Sequence, residues 1–225
     1  MRRTFAFLIA GFCLQIAPAA AAEFVPPAGC TGTFTVQFKG CIMLNVWQCQ
    51  DDQDGDQWVG LFTSNGLRRL RKIDSEFQWL ETYHVGSGLV ERIEQPAPDP
   101  ENLTELMRDG VDTYDFTITE TGPTAGPNQR YVGYDRLSGE TTVIDGETLL
   151  NTEYAYDVLT SDGEVTRQRM GAQFVHPTQR LFLFGTSQNA DGSEASDNRP
   201  MSFAHPGDTD FFPNFPLFDC GSVTS

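Results

Sequence analysis

An all-β fold with a minor α component is what this sequence predicts: a single antiparallel β-barrel or strongly curved half-barrel carrying one short helix. Three observations predict it. Between residues 129 and 187, five runs rich in β-branched and aromatic residues follow one another (129–137, 141–145, 147–159, 164–176 and 179–185). They are parted by Ser138-Gly139, Asp145-Gly146, Asp162-Gly163 and Pro177. Asp-Gly between alternating hydrophobic runs marks a hairpin, because both residues tolerate the positive φ of a two-residue turn. Residues 113–119 alternate cleanly, with Tyr114, Phe116 and Ile118 on one face and Thr113, Asp115, Thr117 and Thr119 on the other, the pattern of a half-buried strand. About a dozen such short strands against one helical stretch fit a single barrel-like domain, an architecture that commonly reaches 200 residues or more.

Taken in order, the chain opens with an export signal. Arg2 and Arg3 precede an apolar run over residues 5–16, and Pro18 and the small residues Ala19–Ala22 follow. Charge, apolar core and small-residue site together predict secretion with cleavage after Ala22, so residues 1–22 are a signal peptide and 23–225 the mature domain. The apolar core is too short for a membrane span, so no stable membrane insertion is expected after cleavage. The twin-arginine likeness is partial, and Cys13 follows the large Phe12, which argues against lipidation. The scarcity of lysine (only Lys39 and Lys72) beside arginine reads as the mark of a GC-rich bacterial genome. The expected location is therefore periplasmic or secreted.

Loss of Arg2 and Arg3 leaves 13 of the 15 basic residues against 31 acidic ones and moves the formal charge from −16 to −18. A surface this acidic, without a basic stripe, repels phosphate backbones and anionic bilayers, which excludes nucleic acid as a partner. Of the five cysteines, Cys30, Cys41, Cys49 and Cys220 belong to the mature chain, an even number that predicts two disulfides in an exported protein. If residues 31–38 and 41–49 form a hairpin through a two-residue turn at Lys39-Gly40, Cys30 lies opposite Cys49, within bridging distance. Cys41 is then left for Cys220.

Further strands are expected at 57–63, 67–73 (after an Asn65-Gly66 turn), 76–83 and 89–94. Prolines 96, 98 and 100 break the chain. The one helix follows, with Asp99 as N-cap, Pro100 at its first position, Leu103, Leu106 and Met107 on one face and Gly110 as its end. Residues 187–199 are polar. The tail, residues 200–225, interleaves Phe203, Phe211, Phe212, Phe215 and Phe218 with Pro206, Pro213 and Pro216. Proline forbids a central strand and phenylalanine avoids water, so the tail is expected to form an extended strap packed on the sheet and tied down by Cys220.

In element order the outline resembles lipocalin-type and lipoprotein-carrier-type folds, although the G-x-W signature of lipocalins is absent near the first strand. The resemblance implies a concave sheet, not a function.

Catalytic constellations are sparse. Gly86-Ser87-Gly88 lacks the spacing of a nucleophile elbow, C-x-x-C is absent, and His84, His176 and His205 have no metal-ligand spacing. No catalytic residue, cofactor or metal is therefore assigned. Asp52, Asp54 and Asp56 beside Gly55 form a weak calcium candidate whose register fails the EF-hand pattern. Asp135 and Asp145 are candidate carboxylates within or beside the strand-rich region, with Arg130, Arg136 or Arg167 as their expected salt-bridge partners. What remains is aromatic surface. Trp58, Trp79, Tyr114, Tyr134, Tyr154 and Tyr156, with Trp47, Tyr83 and Tyr131, could line a concavity or fill a core.

The expected function is non-enzymatic: an envelope protein that holds a hydrophobic or amphiphilic small molecule, a lipid or a lipidated partner in that concavity. The alternative is an envelope interaction protein docking another protein through its aromatic tail or a sheet edge. A hydrolase using two carboxylates comes third.

Overall fold

The structure, a computed structural model, describes residues 24–221; the signal peptide lies outside that range. Thirteen strands and one helix follow in the order β1 (Cys30–Phe38), β2 (Ile42–Cys49), β3 (Gln57–Thr63), β4 (Gly66–Ile73), β5 (Trp79–His84), β6 (Val90–Ile93), α1 (Leu103–Asp109), β7 (Val111–Thr121), β8 (Gln129–Ile144), β9 (Glu147–Leu159), β10 (Val165–His176), β11 (Leu181–Asn189), β12 (Ser196–Asp197) and β13 (Pro200–Ala204). Every pairing is antiparallel. The sheet runs as a meander from β1 to β12, and β13 returns to pair with β1. The expected barrel does not close: β12 and β13 are the two edges of the ladder and do not pair with each other.

The sheet nevertheless curls on itself, because residues from its opposite ends share one apolar cluster. Phe34, Val36 and Phe38 of β1 and Leu44 and Val46 of β2 pack with Leu149 of β9 and Leu181 and Leu183 of β11. The Phe38 and Phe184 rings lie 5.0 Å apart. Side chains tie the open seam where the ladder does not. Phe203 N–H donates to Asp145 at 2.9 Å, His205 Nε2 meets Glu147 Oε1 at 2.8 Å, and Lys39 Nζ reaches Asp197 at 2.9 Å. His176 completes the second of these ties, at Glu147. Its Nδ1 accepts from the Gln179 N–H, which places the ring proton on Nε2 to donate to Glu147 Oε2 at 3.1 Å.

Local chemistry explains where the elements differ from expectation. Cys30 does pair with Cys49 across the hairpin, and both disulfides, Cys30–Cys49 and Cys41–Cys220, form as the register predicts. The hairpin turn, however, holds three residues, with Phe38 opposite Ile42 and Cys41 at φ 58°. An irregularity between Gly32 and Phe34 then restores the register at the open end. Ser138-Gly139 is not a turn. It is a bulge within one long strand, β8, where the pairing with β9 shifts between Leu137 and Thr141. Asp145-Gly146 is a true two-residue turn, with φ of 47° and 86°.

Asp99 does not cap the helix. It bridges to Asp115 backbone to backbone and its carboxylate accepts from Thr113, so the chain stays extended past Pro100 and Asn102 becomes the N-cap, accepting from Glu105 N–H at 2.9 Å. Gly110 ends the helix in the left-handed conformation as expected. Leu103 and Leu106 then bury against Val175, with Leu137, Leu150 and Phe182 alongside, so α1 plugs one end of the curl. The polar stretch 187–199 is partly strand, since β11 extends to Asn189 and β12 follows. Likewise Pro200–Ala204 is a strand, and the strap begins only after it.

That strap lies on the outer face of β1 and β2. Phe212 N–H donates to Thr35 Oγ1, Asn45 Nδ2 to Pro213 O, and Leu217 N–H to Gln37 Oε1. Phe24 and Phe212 pack on Trp47. Both faces of these strands are therefore covered, and five consecutive residues of each, Phe34–Phe38 and Met43–Trp47, are buried.

Candidate functional site: a charged, aromatic concavity

On the inner side of the curl lies a cavity of about 550 Å³, within the 300–1,000 Å³ usual for small-molecule sites. Strand alternation determines its walls. In β4 the i, i+2 pair Arg69 and Arg71 faces in, while Arg68, Leu70 and Lys72 take the other parity. In β10 the pair Arg167 and Arg169 does the same. Between them stand Trp79, Tyr114, Phe116, Tyr131, Tyr154 and Tyr156. Gly133 makes room for this aromatic wall: a Cβ there would stand 2.6 Å from Tyr156 Cβ and 2.8 Å from the Tyr114 hydroxyl.

Of the six aromatic residues expected to bind ligand, Trp79, Tyr114, Tyr154 and Tyr156 line this cavity. Two do not. Trp58 lies on the opposite face of the sheet, stacked between Trp47 and Tyr83 at 6.4 and 6.2 Å. Tyr134 has the wrong parity, since its neighbour Asp135 faces the cavity, and it lies under the Arg136 guanidinium at 5.0 Å. The calcium candidate is occupied by protein. Lys72 Nζ sits 2.6 Å from Asp52 and 2.9 Å from Asp56, and Trp58 Nε1 donates to Asp52. Burial alone would raise the Asp52 pKa, but these two donors and the lysine charge bring it below the usual range.

None of the four cavity arginines was expected at a binding site, Arg167 figuring only as a salt-bridge partner for Asp135 or Asp145, and neither was Glu101. Arg71 stacks over the Trp79 ring at 3.8 Å and donates to Thr82 Oγ1 at 3.0 Å. Burial, then the nearby Arg69 charge, pulls its pKa down to about 9, and burial lowers Arg69 as well. Arg169 bonds Ser187 and Asn189 and pairs with the exposed Glu194. Among the described residues, Arg69, Arg71 and Arg167 have no acidic group within ion-pair distance. Arg167 is exposed and meets water, but Arg69 and Arg71 are partly buried, and a buried guanidinium without a counter-ion is costly unless water or an anion meets it.

Carboxyls line both ends of the cavity: Glu91, paired with His84 at 3.1 Å, lies near Arg69 and Arg71, and two more sit at the helix-plugged end. Asp135, only 3% exposed, accepts from Gln173 Nε2 at 2.6 Å. Burial, then Asp112, pushes its pKa up to about 7. None of the arginines expected to pair with it does so, and Arg130 binds Asp115 instead. Asp145 is remote, in the β8–β9 turn. Glu101 is 8% exposed, raised well above the usual range by burial and then by Asp135, and its Oε2 has no hydrogen-bond partner; Trp79 Nε1 is likewise buried and unpaired.

No protein-family model, curated protein or solved structure matches this chain. Among the described residues, no helix is long and apolar enough to cross a membrane.

Proposed function

We propose that this chain is an exported, non-enzymatic envelope protein whose curled, half-barrel sheet holds an amphiphilic small molecule bearing an acidic group. The observation that carries the reading is the gathering of Arg69, Arg71, Arg167 and Arg169 around one aromatic cavity in a chain of net charge −16. Guanidinium forks match carboxylate and phosphate, while the Trp79, Phe116 and Tyr131 surface suits an acyl chain. The helix plug at one end and the two disulfides are in keeping with a carrier-like role outside the cytoplasm. Delipidated protein titrated with dodecanoate and with dodecyl phosphate should bind both. The double variant Arg69→Gln/Arg167→Gln should lose at least about tenfold in affinity, since charge-assisted hydrogen bonds are the strong ones. Absence of binding to either amphiphile rules the reading out.

A second reading, a carboxylate-dependent hydrolase, draws on one specific observation: Asp135, titrating at about 7, and Glu101 face the same cavity. A group poised near neutrality is suited to proton transfer. Hydrolysis of nitrophenyl esters or glycosides that disappears in Asp135→Asn would favour this reading over simple binding.

A further inference from the structure

The outer face of β1 and β2 is built to hold an extended peptide, and the chain's own strap fills it. In β1 the alternation that sends Phe34, Val36 and Phe38 inward turns Thr35 and Gln37 outward, and β2 adds Asn45 opposite Thr35. All three are polar and no more than 2% exposed. They bond the strap through its backbone. Thr35 Oγ1 accepts from Phe212 N–H at 3.0 Å, Asn45 Nδ2 donates to Pro213 O at 2.9 Å, and Gln37 Oε1 accepts from Leu217 N–H at 3.0 Å. Contacts of that kind serve any extended segment. Selectivity comes from Gly32, where a Cβ would stand 2.8 Å from the Phe212 ring and 3.1 Å from that of Phe211. The glycine lets two aromatic rings settle onto the strand.

The hold on the strap is lopsided. One end continues from β13, which the β1 ladder fixes at Ala204. Of the described residues, none between Ala204 and Cys220 belongs to a strand or helix. The far end is held by Cys41–Cys220, with Cys41 N–H donating to Phe218 O at 2.9 Å. The other disulfide, Cys30–Cys49, joins residues that the ladder already pairs, so cutting it frees nothing. Opening Cys41–Cys220 leaves the strap on hydrogen bonds that water can replace at small net cost. Trp47 and the Gly32 seat, once uncovered, are an apolar surface that calls for a cover.

We infer that this face is a peptide-binding site under redox control. The oxidised chain keeps it closed with its own strap, and a dithiol reductant opens it to a partner protein presenting an extended segment with adjacent phenylalanines ahead of proline. The two thiols of the reductant become its disulfide, and Cys41 and Cys220 each take up one hydrogen as thiols. The partner's pattern is read from Phe211-Phe212-Pro213, the sequence the face already holds. This site lies on the opposite side of the sheet from the cavity and stands or falls apart from it.

The full chain carrying Cys220→Ser keeps Cys30–Cys49 and presents the Cys41 thiol. A synthetic peptide of residues 208–220 is offered to it in glutathione buffer, where the peptide thiol, the Cys41 thiol and one oxidised glutathione yield a mixed disulfide and two reduced glutathiones. Intact mass should show at least about tenfold more of this adduct than with a peptide carrying Phe211→Ser and Phe212→Ser, the scale expected for losing two buried rings. The tethered strap, at roughly millimolar effective concentration, competes equally with both peptides. Gly32→Val should bring the two yields together; the peptide comparison decides alone if that variant does not fold. Equal yields in the Cys220→Ser chain overturn the binding site. Brief dithiothreitol treatment of the unaltered chain, followed by thiol mapping, should label Cys41 and Cys220 before Cys30 and Cys49. The reverse order, or no rise in amide exchange at Phe212 and Leu217 after that treatment, overturns the redox control.

Discussion

The two halves of the sheet use the same strand alternation to opposite ends. In β1 and β2 the inner face joins the dry cluster around Phe34, Val36 and Phe38, and the outer face lies under the strap, so nothing in either strand centre meets water. In β8 to β10 the outer face is open, with Val132, Val143, Val165 and Met170 partly exposed, while the inner face carries arginine, tyrosine and aspartate around a cavity. One half is built as a scaffold. The other has given up packing for a chemically varied surface, the usual division between the part of a fold that is stable and the part that binds.

The largest expected effect separates these halves directly. Phe34 has no exposed surface and touches Phe203, His176 and His205. Phe34→Ala should cost about 3–5 kcal/mol in denaturant unfolding, the range for deleting a buried aromatic. Tyr154, half-buried on the cavity wall, should cost about 1–2 kcal/mol when truncated, because its removal enlarges an existing space rather than opening a new one. Equal costs would erase the distinction.

Next in size is the strap. The Cys41–Cys220 bridge spans 179 residues and holds the segment that hydrogen-bonds Thr35, Asn45 and the Gln37 Oε1. Replacing both cysteines with alanine should cost about 2–4 kcal/mol, read as a lower denaturant midpoint. The effect should be confined to the scaffold half, with amide exchange rising in β1 and β2 before β8 and β9.

The strand order of both halves was legible in the sequence, and the identity of the cavity face was not. Asp145-Gly146, with φ of 47° and 86°, announces its turn because few residue pairs tolerate those angles. Gly163 and Gly66 mark hairpins through their own positive φ of 87° and 79°, although the Gly66 hairpin turns at Ser64-Asn65, with Gly66 already paired to Thr63. The disulfide pairing follows from hairpin register even though the turn is one residue longer than expected, since the irregularity near Gly32 compensates. Ser138-Gly139 misleads because a bulge needs the same positive φ as a turn, 82° at Gly139. The arginines were hidden for a different reason. The spacing-two pairs Arg69/Arg71 and Arg167/Arg169 are visible, but in β4 both parities carry charge, Arg68 and Lys72 against Arg69 and Arg71, so alternation alone does not say which face is concave. Trp58 and Tyr134 were misplaced by the same ambiguity. Glu101 stands in a Pro-rich break, where nothing local signals burial; only the docking of α1 encloses it.

A third prediction sharpens the contrast through pH. Asp135 titrates at about 7 in the folded chain, well above its ordinary value near 3.8. The folded state therefore binds more protons than the unfolded one between those limits, and stability must fall as pH rises through that window, then level off above about 7. Asp135→Asn removes the titrating group, so its unfolding free energy should fall less between pH 4 and 7 and should exceed that of the parent by about 1–3 kcal/mol at pH 8. The seam between the halves holds Glu147, whose pKa is lowered first by its hydrogen bond with His205. That contribution has the opposite sign: it is complete above about pH 4.5 and is lost as the pH falls below it.

The smallest effect lies at the seam. Lys39 and Arg199 both hold Asp197 at 2.9 Å, tying β12 to the β1–β2 turn across the gap that hydrogen bonding leaves open. The geometry is good, but the Lys39 and Asp197 side chains are 47% and 31% exposed, and ion pairs this wet contribute about 0–1 kcal/mol and weaken further in salt. The more enclosed tie, His176 and His205 on Glu147, lies farther along the same seam, with His176 buried and Phe34 packed against both rings. Lys39→Ala should thus change stability by less than about 1 kcal/mol, and raised salt should shrink even that difference. A larger, salt-insensitive loss would mean that the Lys39 end of the seam, not the histidine end, keeps the curl shut, and the boundary between scaffold and cavity would have to be redrawn around β12.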